Sequence, residues 1–344
     1  MSKNDTLHKS RVQKNDEFYT QLTDIEKELK NYKEHFRGKV VFCNCDDPYE
    51  SNFFKYFAIN FNRLGLKKLI TTGYATSFVT GNELRLFDDE IGISKNQPYA
   101  VYINEVADLN GDGRIDLTDV ELLLKMKKNT RRKLHGDDKY PAGDFRSEES
   151  IALLKQADIV VTNPPFSIFT EYIQQLFEYK KKFLVVGNQN NFLYKEILPM
   201  FLNNNIWLGN NCGHWWFKVP PYYEAKLTDY KVDKFGQKWR RMGNICWFTN
   251  LDYKERYVDL DLYKEYNSEE YPKYDNYDAI NVDKVSEIPY DYDGVMGVPI
   301  TFLSKRNPLQ FDIVGIAKFN GAPKINGKSL YTRILIQKRK SALS

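Results

Sequence analysis

Cysteine is scarce in this chain and carries no pattern. Cys43, Cys45, Cys212 and Cys246 form neither a Cys-x-x-Cys pair nor a disulfide framework, so a reducing compartment, the cytoplasm, is the expectation. Long apolar runs are missing too. The start, Met1-Ser2-Lys3-Asn4, lacks the apolar core of a signal peptide, and no stretch is long enough to span a bilayer, so no membrane partner is expected. Charge of one sign is not in excess. A net +4 over 344 residues leaves no basic or acidic tail to govern the electrostatics. One further absence is local. The first strong strand pattern, Gly38 to Asp46, ends in Cys45-Asp46-Asp47-Pro48 without a glycine, where a dinucleotide fold would set Gly-x-Gly-x-x-Gly. Carboxylates there repel pyrophosphate and suit a ligand with an ammonium or sulfonium charge.

Aromatic residues, by contrast, are abundant, with 24 Tyr and 22 Phe. Much of that is core, but Tyr beside Lys and Arg also suits nucleic-acid grooves. Phe18, Tyr19 and Thr20 read as extended chain before a helix that Thr23 could cap, with Glu26 completing a capping box. The strand at 38–46, a helix pattern at 51–62 and a strand at 66–72 make a βαβ unit. Helices at 147–155 and 168–179 then alternate with strands at 159–162 and 182–187, followed by a short strand at 206–208. The alternation predicts an α/β fold with a doubly wound, Rossmann-like sheet.

The centre of the pattern is Asp158-Ile-Val-Val-Thr-Asn-Pro-Pro-Phe-Ser167. Ile159 to Thr162 are β-branched throughout, as in a strand buried on both faces. Pro164 and Pro165 cannot donate ladder hydrogen bonds, and Pro164 biases Asn163 away from helical angles. A stiff loop therefore forms at the carboxyl end of a strand, where open α/β sheets bind ligands. It offers the Asn163 amide, a proline carbonyl and the Phe166 ring. A planar base with an exocyclic NH2 needs those groups: two acceptors for its N–H bonds and a face to stack on. The plainer reading is a proline turn with Phe166 in the core. With Pro at about 5% of residues, Asn-Pro-Pro-Phe arises by chance in roughly one chain in a thousand.

Two further stretches stand out. Asp108, Asn110, Asp112, Arg114, Asp116 and Asp119 occupy the ligand positions of a calcium-loop template, with Gly113 at the sharp turn. Asp119 replaces the usual Glu, and 100–106 before the loop reads as strand, so the loop is closer to a dockerin repeat than to a paired EF-hand. A structural Ca2+ is the expectation, against an acidic turn needing no metal. Lys234-Phe-Gly-Gln-Lys-Trp-Arg-Arg241 reads as a hairpin whose Lys234, Lys238, Trp239, Arg240 and Arg241 suit DNA phosphate and base contact, against a solvated hairpin. Asn244 to Asn250 reads as a separate late strand.

Asp16 to Leu22, Cys45 to Phe54, Gly143-Asp144-Phe145, Asn163 to Phe166, and Asp293-Gly-Val-Met-Gly-Val-Pro-Ile-Thr-Phe302 together resemble the EcoRI-type adenine-specific DNA methyltransferase family, over about residues 15 to 340. The resemblance implies N6 methylation of adenine in double-stranded DNA, with S-adenosyl-L-methionine as donor. It implies that Phe18, Tyr19 and Thr20 close over the methionine end, with Cys45, Asp46 and Asp47 near the amino acid portion. Asp144 and Phe145 would hold the cofactor adenine, and Asn163, Pro164, Pro165 and Phe166 the target base. The core would cover 15–210, with the calcium-like insert at about 105–130, and 211–344 would carry target recognition plus closing strands. No nuclease signature is visible, so cleavage would belong to a separate restriction endonuclease. No cysteine follows a proline, which disfavours C5-cytosine chemistry. RNA or protein amino-methyl transfer, or a non-enzymatic binding protein on a vestigial cofactor fold, are the alternatives.

Overall fold

A computed structural model describes residues 19–45, 51–73, 98–125, 131–221, 223–318 and 321–339. Phe18, Asp46 and Asp47 lie outside the described residues. In chain order the elements are α1 (Leu22–Leu29), β1 (Val40–Asn44), α2 (Asn52–Ile59), α3 (Phe61–Leu64), β2 (Lys68–Thr72), β3 (Tyr99–Ile103), α4 (Leu117–Lys125), β4 (Arg131–Lys133), α5 (Glu148–Gln156), β5 (Ile159–Thr162), α6 (Phe169–Glu178), β6 (Lys182–Asn188), α7 (Leu198–Leu202), β7 (Trp207–Lys218), β8 (Tyr230–Val232) and β9 (Lys238–Thr249). They build one large sheet of order β4-β3-β2-β1-β5-β6-β9-β7, with β8 paired to β9. The middle four, β2-β1-β5-β6, are parallel. β3 and β9 join them antiparallel on either side. A mixed α/β sheet with a parallel centre is therefore what forms.

The chain divides into two compact units, residues 1–197 with 211–251, and residues 198–210 with 252–344. The second unit carries a four-stranded sheet of β10 (Ile280–Asn281), β11 (Met296–Val298), β12 (Phe311–Ala317) and β15 (Arg333–Lys338), ordered β10-β11-β15-β12, and a small hairpin of β13 (Lys324–Ile325) and β14 (Lys328–Ser329). Among the described residues no helix is long and apolar enough to cross a membrane.

The central strands form because their sequences tolerate no exposed face. Every residue of β1 and β5 is buried. Helix α2 buries Phe53, Phe54, Tyr56, Phe57 and Ala58 and is capped by Ser51, whose hydroxyl accepts from the Phe53 and Phe54 amides at 3.1 and 3.4 Å. Each such ring contributes roughly 1.5–3 kcal/mol on burial. Helix α5 is capped by Ser147 and opens on Glu148 and Glu149, which complement the helix dipole.

Three local expectations are corrected. Helix α1 starts at Leu22, with Gln21 rather than Thr23 at its N-cap; the Gln21 amide donates to the Tyr19 carbonyl at 3.1 Å. The short strand at 206–208 is the beginning of the twelve-residue β7. The second arm of the hairpin and the late strand are one continuous β9, and the hairpin's first arm is β8. Residues 245–249 of β9 are buried and its earlier residues are not, so no single periodicity marks the whole strand. Pairing of β7 with β9 also overturns the unpaired-cysteine reading. Cys212 and Cys246 form a disulfide, with Cα atoms 4.3 Å apart across the two strands.

One buried carboxylate ties the N-terminal helix to the far edge of the sheet. Glu28 is fully buried on α1 and accepts from the Tyr32 hydroxyl at 2.9 Å and from the Asn211 backbone and side-chain amides at 2.8 and 2.6 Å. Glu28→Ala strands those donors in the interior. The expected loss is roughly 2–4 kcal/mol, read as a lower urea midpoint at unchanged slope. An unchanged midpoint would mean that water replaces the carboxylate without cost.

Candidate active site

Strand order reverses at β1: the chain passes from β1 to β2 on one side and returns to β5 and β6 on the other. Ligands bind open α/β sheets in the crevice at the carboxyl ends of such strands. Here those ends are Asn44-Cys45 and Thr162-Asn163.

Asn44 is buried at 2% exposure. Its carbonyl accepts from the Thr162 hydroxyl and its side-chain oxygen from the Tyr172 hydroxyl of α6. The next residue, Cys45, takes a left-handed conformation with φ +70°, the turn geometry glycine usually supplies. The strand thus makes a sharp exit without the glycines of a pyrophosphate loop.

The Asn-Pro-Pro-Phe loop leaves β5 as expected. Asn163 is half-buried with its amide oxygen enclosed, and Pro164 is buried. Pro165 caps a single 3-10 turn, Phe166–Ile168, accepting from the Ile168 amide at 3.2 Å. The half-buried Phe166 ring meets Phe217 of β7 edge-on, with centroids 6.4 Å apart. Adjoining Phe217, Lys218 bridges to Tyr19: the Tyr19 amide donates to the Lys218 carbonyl at 3.0 Å. Thr20 follows and accepts at its carbonyl from Asn52 at the start of α2, at 2.8 Å. Tyr19 and Thr20 are thereby brought to the end of the sheet that carries Asn163 and Cys45.

Several polar atoms at this end lack protein partners among the described residues. They are the hydroxyls of Thr20 and of Thr72, the last residue of β2, and the side-chain NH2 of Asn191 in the 3-10 turn after β6. Thr72 lies directly opposite Asn44 in the ladder. Buried polar groups are nearly always satisfied, so orphaned groups at a strand-end crevice fit a polar ligand such as an amino acid or ribose. Sequence reasoning had no reason to select Thr72; only its place at a strand end, known after the fold, marks it.

Asp144 and Phe145 are both buried, and both already have protein partners. The Asp144 carboxylate grips Arg146, with Nε at 2.9 Å and a second guanidinium nitrogen at 2.7 Å. That bond chiefly holds the Arg146 pKa above its ordinary value. Arg146 also reaches Glu171 on α6 at 3.1 Å and covers the Tyr140 ring at 4.6 Å. Phe145 packs edge-on against Tyr172 at 5.1 Å.

The loop at 108–119 closes on itself. Asp108 accepts from the amides of Gly111, Asp112 and Gly113 at 2.7, 3.2 and 2.7 Å. Asp119 is buried and accepts from Leu109, Asn110 and Asp116 at 2.7, 3.2 and 3.0 Å. The Asp116 amide, first among these, holds the Asp119 carboxyl below the usual range. Asn110, Asp112 and Asp116 each accept from the amide two residues on, that of Arg114 being Asp112's donor. Among the described residues no group of three or more His, Cys, Asp or Glu converges as a metal centre.

The predicted hairpin is real, but its cations divide. Lys238 donates to the Pro221 and Tyr223 carbonyls, and Arg240 to those of Thr228 and Asp229. The Trp239 ring N–H goes to Asp233 at 3.0 Å. Lys234 and Arg241 are exposed, Arg241 with a loose 3.7 Å contact to Asp229. Lys231, not selected from sequence, is exposed over the Trp216 ring at 4.3 Å.

Comparison with known proteins fits this geometry. The family model of the adenine-specific methyltransferase EcoRI matches residues 6–340. The Type II methyltransferase M.EcoRI of Escherichia coli is 48% identical over 345 residues, covering 98% of this chain and 97% of that protein. M.MgeORF184P of Mycoplasma genitalium is 35% identical over 97% of this chain and 98% of its own length. M.MpnI of Mycoplasma pneumoniae is 34% identical over 98% of this chain and 99% of its own. No solved structure matches. With an Asn-Pro-Pro-Phe loop at the strand-order reversal and a family match over nearly its whole length, the chain belongs to the EcoRI family of adenine-specific methyltransferases.

Proposed function

We propose that the crevice between β1 and β5 is where this enzyme methylates N6 of adenine in duplex DNA, with Asn163, Pro164 and Phe166 holding the base. The observation that carries the reading is the Asn-Pro-Pro-Phe loop pinned at both ends to Asn44. An adenine inside a duplex cannot present N6 in line with a methyl donor, so the base leaves the stack at a cost of a few kcal/mol. Stacking on Phe166 offsets on the order of 1–3 kcal/mol of that. The N6 lone pair is delocalised into the ring. With the Asn163 side-chain oxygen and the Pro164 carbonyl accepting its two N–H bonds, the nitrogen gains electron density and is held facing the donor. S-adenosyl-L-methionine, when bound, supplies an electrophilic methyl group on sulfur. Tyr19 and Thr20, Cys45, and the orphaned Thr72 and Asn191 are the residues we assign to holding it. Asp144 and Phe145 act at one remove, with the Asp144–Arg146 pair setting the wall that the cofactor adenine would meet. Residues 211–344, including Lys234 and Arg241, are proposed to read the DNA, and a separate endonuclease would supply any cleavage.

Asn163→Ala is expected to lower methyl transfer by about 100-fold or more while the Kd for S-adenosyl-L-methionine stays within about twofold of wild type. The check is tritiated transfer to unmethylated bacterial DNA, with product nucleosides resolved by mass spectrometry. Wild-type label appearing in RNA or protein and not in DNA would replace the substrate. Full activity in the variant would remove Asn163 from the site.

A calcium ion in the 108–119 loop is a subsidiary reading. It is supported by the template spacing and by the left-handed turns at Gly111 and Gly113, φ +76° and +83°. If calcium binds, its addition raises Tm and Asp108→Ala abolishes the rise. Identical melting in calcium and in chelator would leave an acidic turn closed by its own amides.

A further inference from the structure

Strand β9 leaves the core beyond Ile245 and runs outward, paired with β8, to a tip at residues 233–237. Phe235 stands at that tip with 83% of its surface exposed. The tip around it is not loose. Asp233 accepts from the Phe235 and Gln237 amides at 2.9 and 3.1 Å and from the Trp239 ring N–H at 3.0 Å. The Gly236 amide donates to the Asp233 carbonyl at 3.0 Å, and Gly236 takes φ +81°. Gln237 donates to the carbonyls of Val219 and Lys238 at 3.0 and 2.8 Å. A braced turn therefore holds one large apolar ring in water, with the Lys234 ammonium 4.9 Å from the ring centroid and the exposed Lys231 and Arg241 on the flanking strands.

The hairpin also springs from the site. Val219 donates to the Lys238 carbonyl at 3.1 Å. Two residues before Val219 is Phe217, whose ring meets Phe166. From Lys238 to Phe235 the chain reaches at most about 10 Å. A rigid aromatic tip with flanking cations thus stands on the side of the sheet where the target base is held. The Phe235 ring adds nothing to the buried core. Apolar side chains that enter base steps are a known way to hold a duplex unstacked.

We propose that Phe235 is a wedge that enters the base stack of the substrate duplex and occupies the gap left when the target adenine turns out. This rests on the reading of adenine methylation in duplex DNA. In that role the ring replaces stacking that the flanking base pairs lose, while Lys234, Lys231 and Arg241 take the adjacent phosphates. The wedge stabilises the open duplex and leaves the chemistry of methyl transfer to Asn163 and Pro164.

The test uses the full-length enzyme on a synthetic duplex carrying the methylation site mapped from wild-type product. Phe235→Ala should lower kcat/KM on the intact duplex by about tenfold or more, the scale of one lost base–aromatic stack. Phe235→Trp should restore most of it. Both variants should keep wild-type Tm and S-adenosyl-L-methionine binding, because the side chain is exposed. The decisive readout is a duplex in which the target adenine faces a mismatched base, so that flipping costs less. There the Phe235→Ala defect should shrink to about twofold, and 2-aminopurine at the target position should brighten with wild type and not with Phe235→Ala on the matched duplex. Equal rates for wild type and Phe235→Ala on the matched duplex would overturn the wedge, as would a defect of the same size on both duplexes. Absence of DNA methylation by the wild-type enzyme would instead refute the function on which it rests.

Discussion

The arrangement depends on what happens at Asn44. An asparagine enclosed at the end of a strand is costly unless its polar atoms are bonded. Its backbone oxygen takes the hydroxyl of Thr162 and its side-chain oxygen that of Tyr172. Thr162 is the residue before the Asn-Pro-Pro-Phe loop, and Tyr172 sits on the helix that follows it. Both ends of the loop are therefore tied to one residue at the mouth of the crevice, and Cys45 turns away immediately beyond it. Methyl transfer needs donor carbon and acceptor nitrogen in line, and on the proposed reading a fixed offset between the β1 exit and the β5 exit would meet that need. The prolines stiffen the loop internally; Asn44 fixes where it stands.

How much of this could be read from sequence follows from the range of the interactions. The parallel strands were legible because burial on both faces forces β-branched runs, as in Ile159 to Thr162. The Asn-Pro-Pro-Phe loop was legible as a stiff strand-end turn because two successive prolines are rare and their consequence is local. The Asn44 bonds span 118 and 128 residues and the Glu28 clasp spans 183. No local pattern distinguishes that asparagine from any other polar residue, nor Cys212 and Cys246 from unpaired thiols. Asp144 was expected beside the cofactor adenine, and its bond to Arg146 was not foreseen, since an Asp two residues from an Arg is ordinary on any surface. Thr72 was hidden for another reason: it is a strand threonine like many others until the fold sets it opposite Asn44.

The hairpin shows why counting cations misleads. Five residues between 234 and 241 looked suited to nucleic acid, yet Lys238, Trp239 and Arg240 direct donors at neighbouring carbonyls or at Asp233. The cause is the path of β9. Where the strand passes out of the core its residues are half-buried or exposed, and side-chain hydrogen bonds brace it. Lys238 and Arg240 act as braces, while Lys231, Lys234 and Arg241 stay exposed.

That bracing changes what the hairpin can do. A floppy loop that closes on DNA gives up conformational freedom on contact, and part of each new interaction is lost to ordering. A turn already held by Asp233 and Gln237 has little left to order, so contact energy at its tip can act on the duplex instead. Base flipping is opposed by stacking, which is a local and stiff force. A pliant element would deform before the base pairs did. On the proposed wedge reading, the same polar bonds that engage Lys238 and Arg240 also brace the tip that would work against a stacked helix.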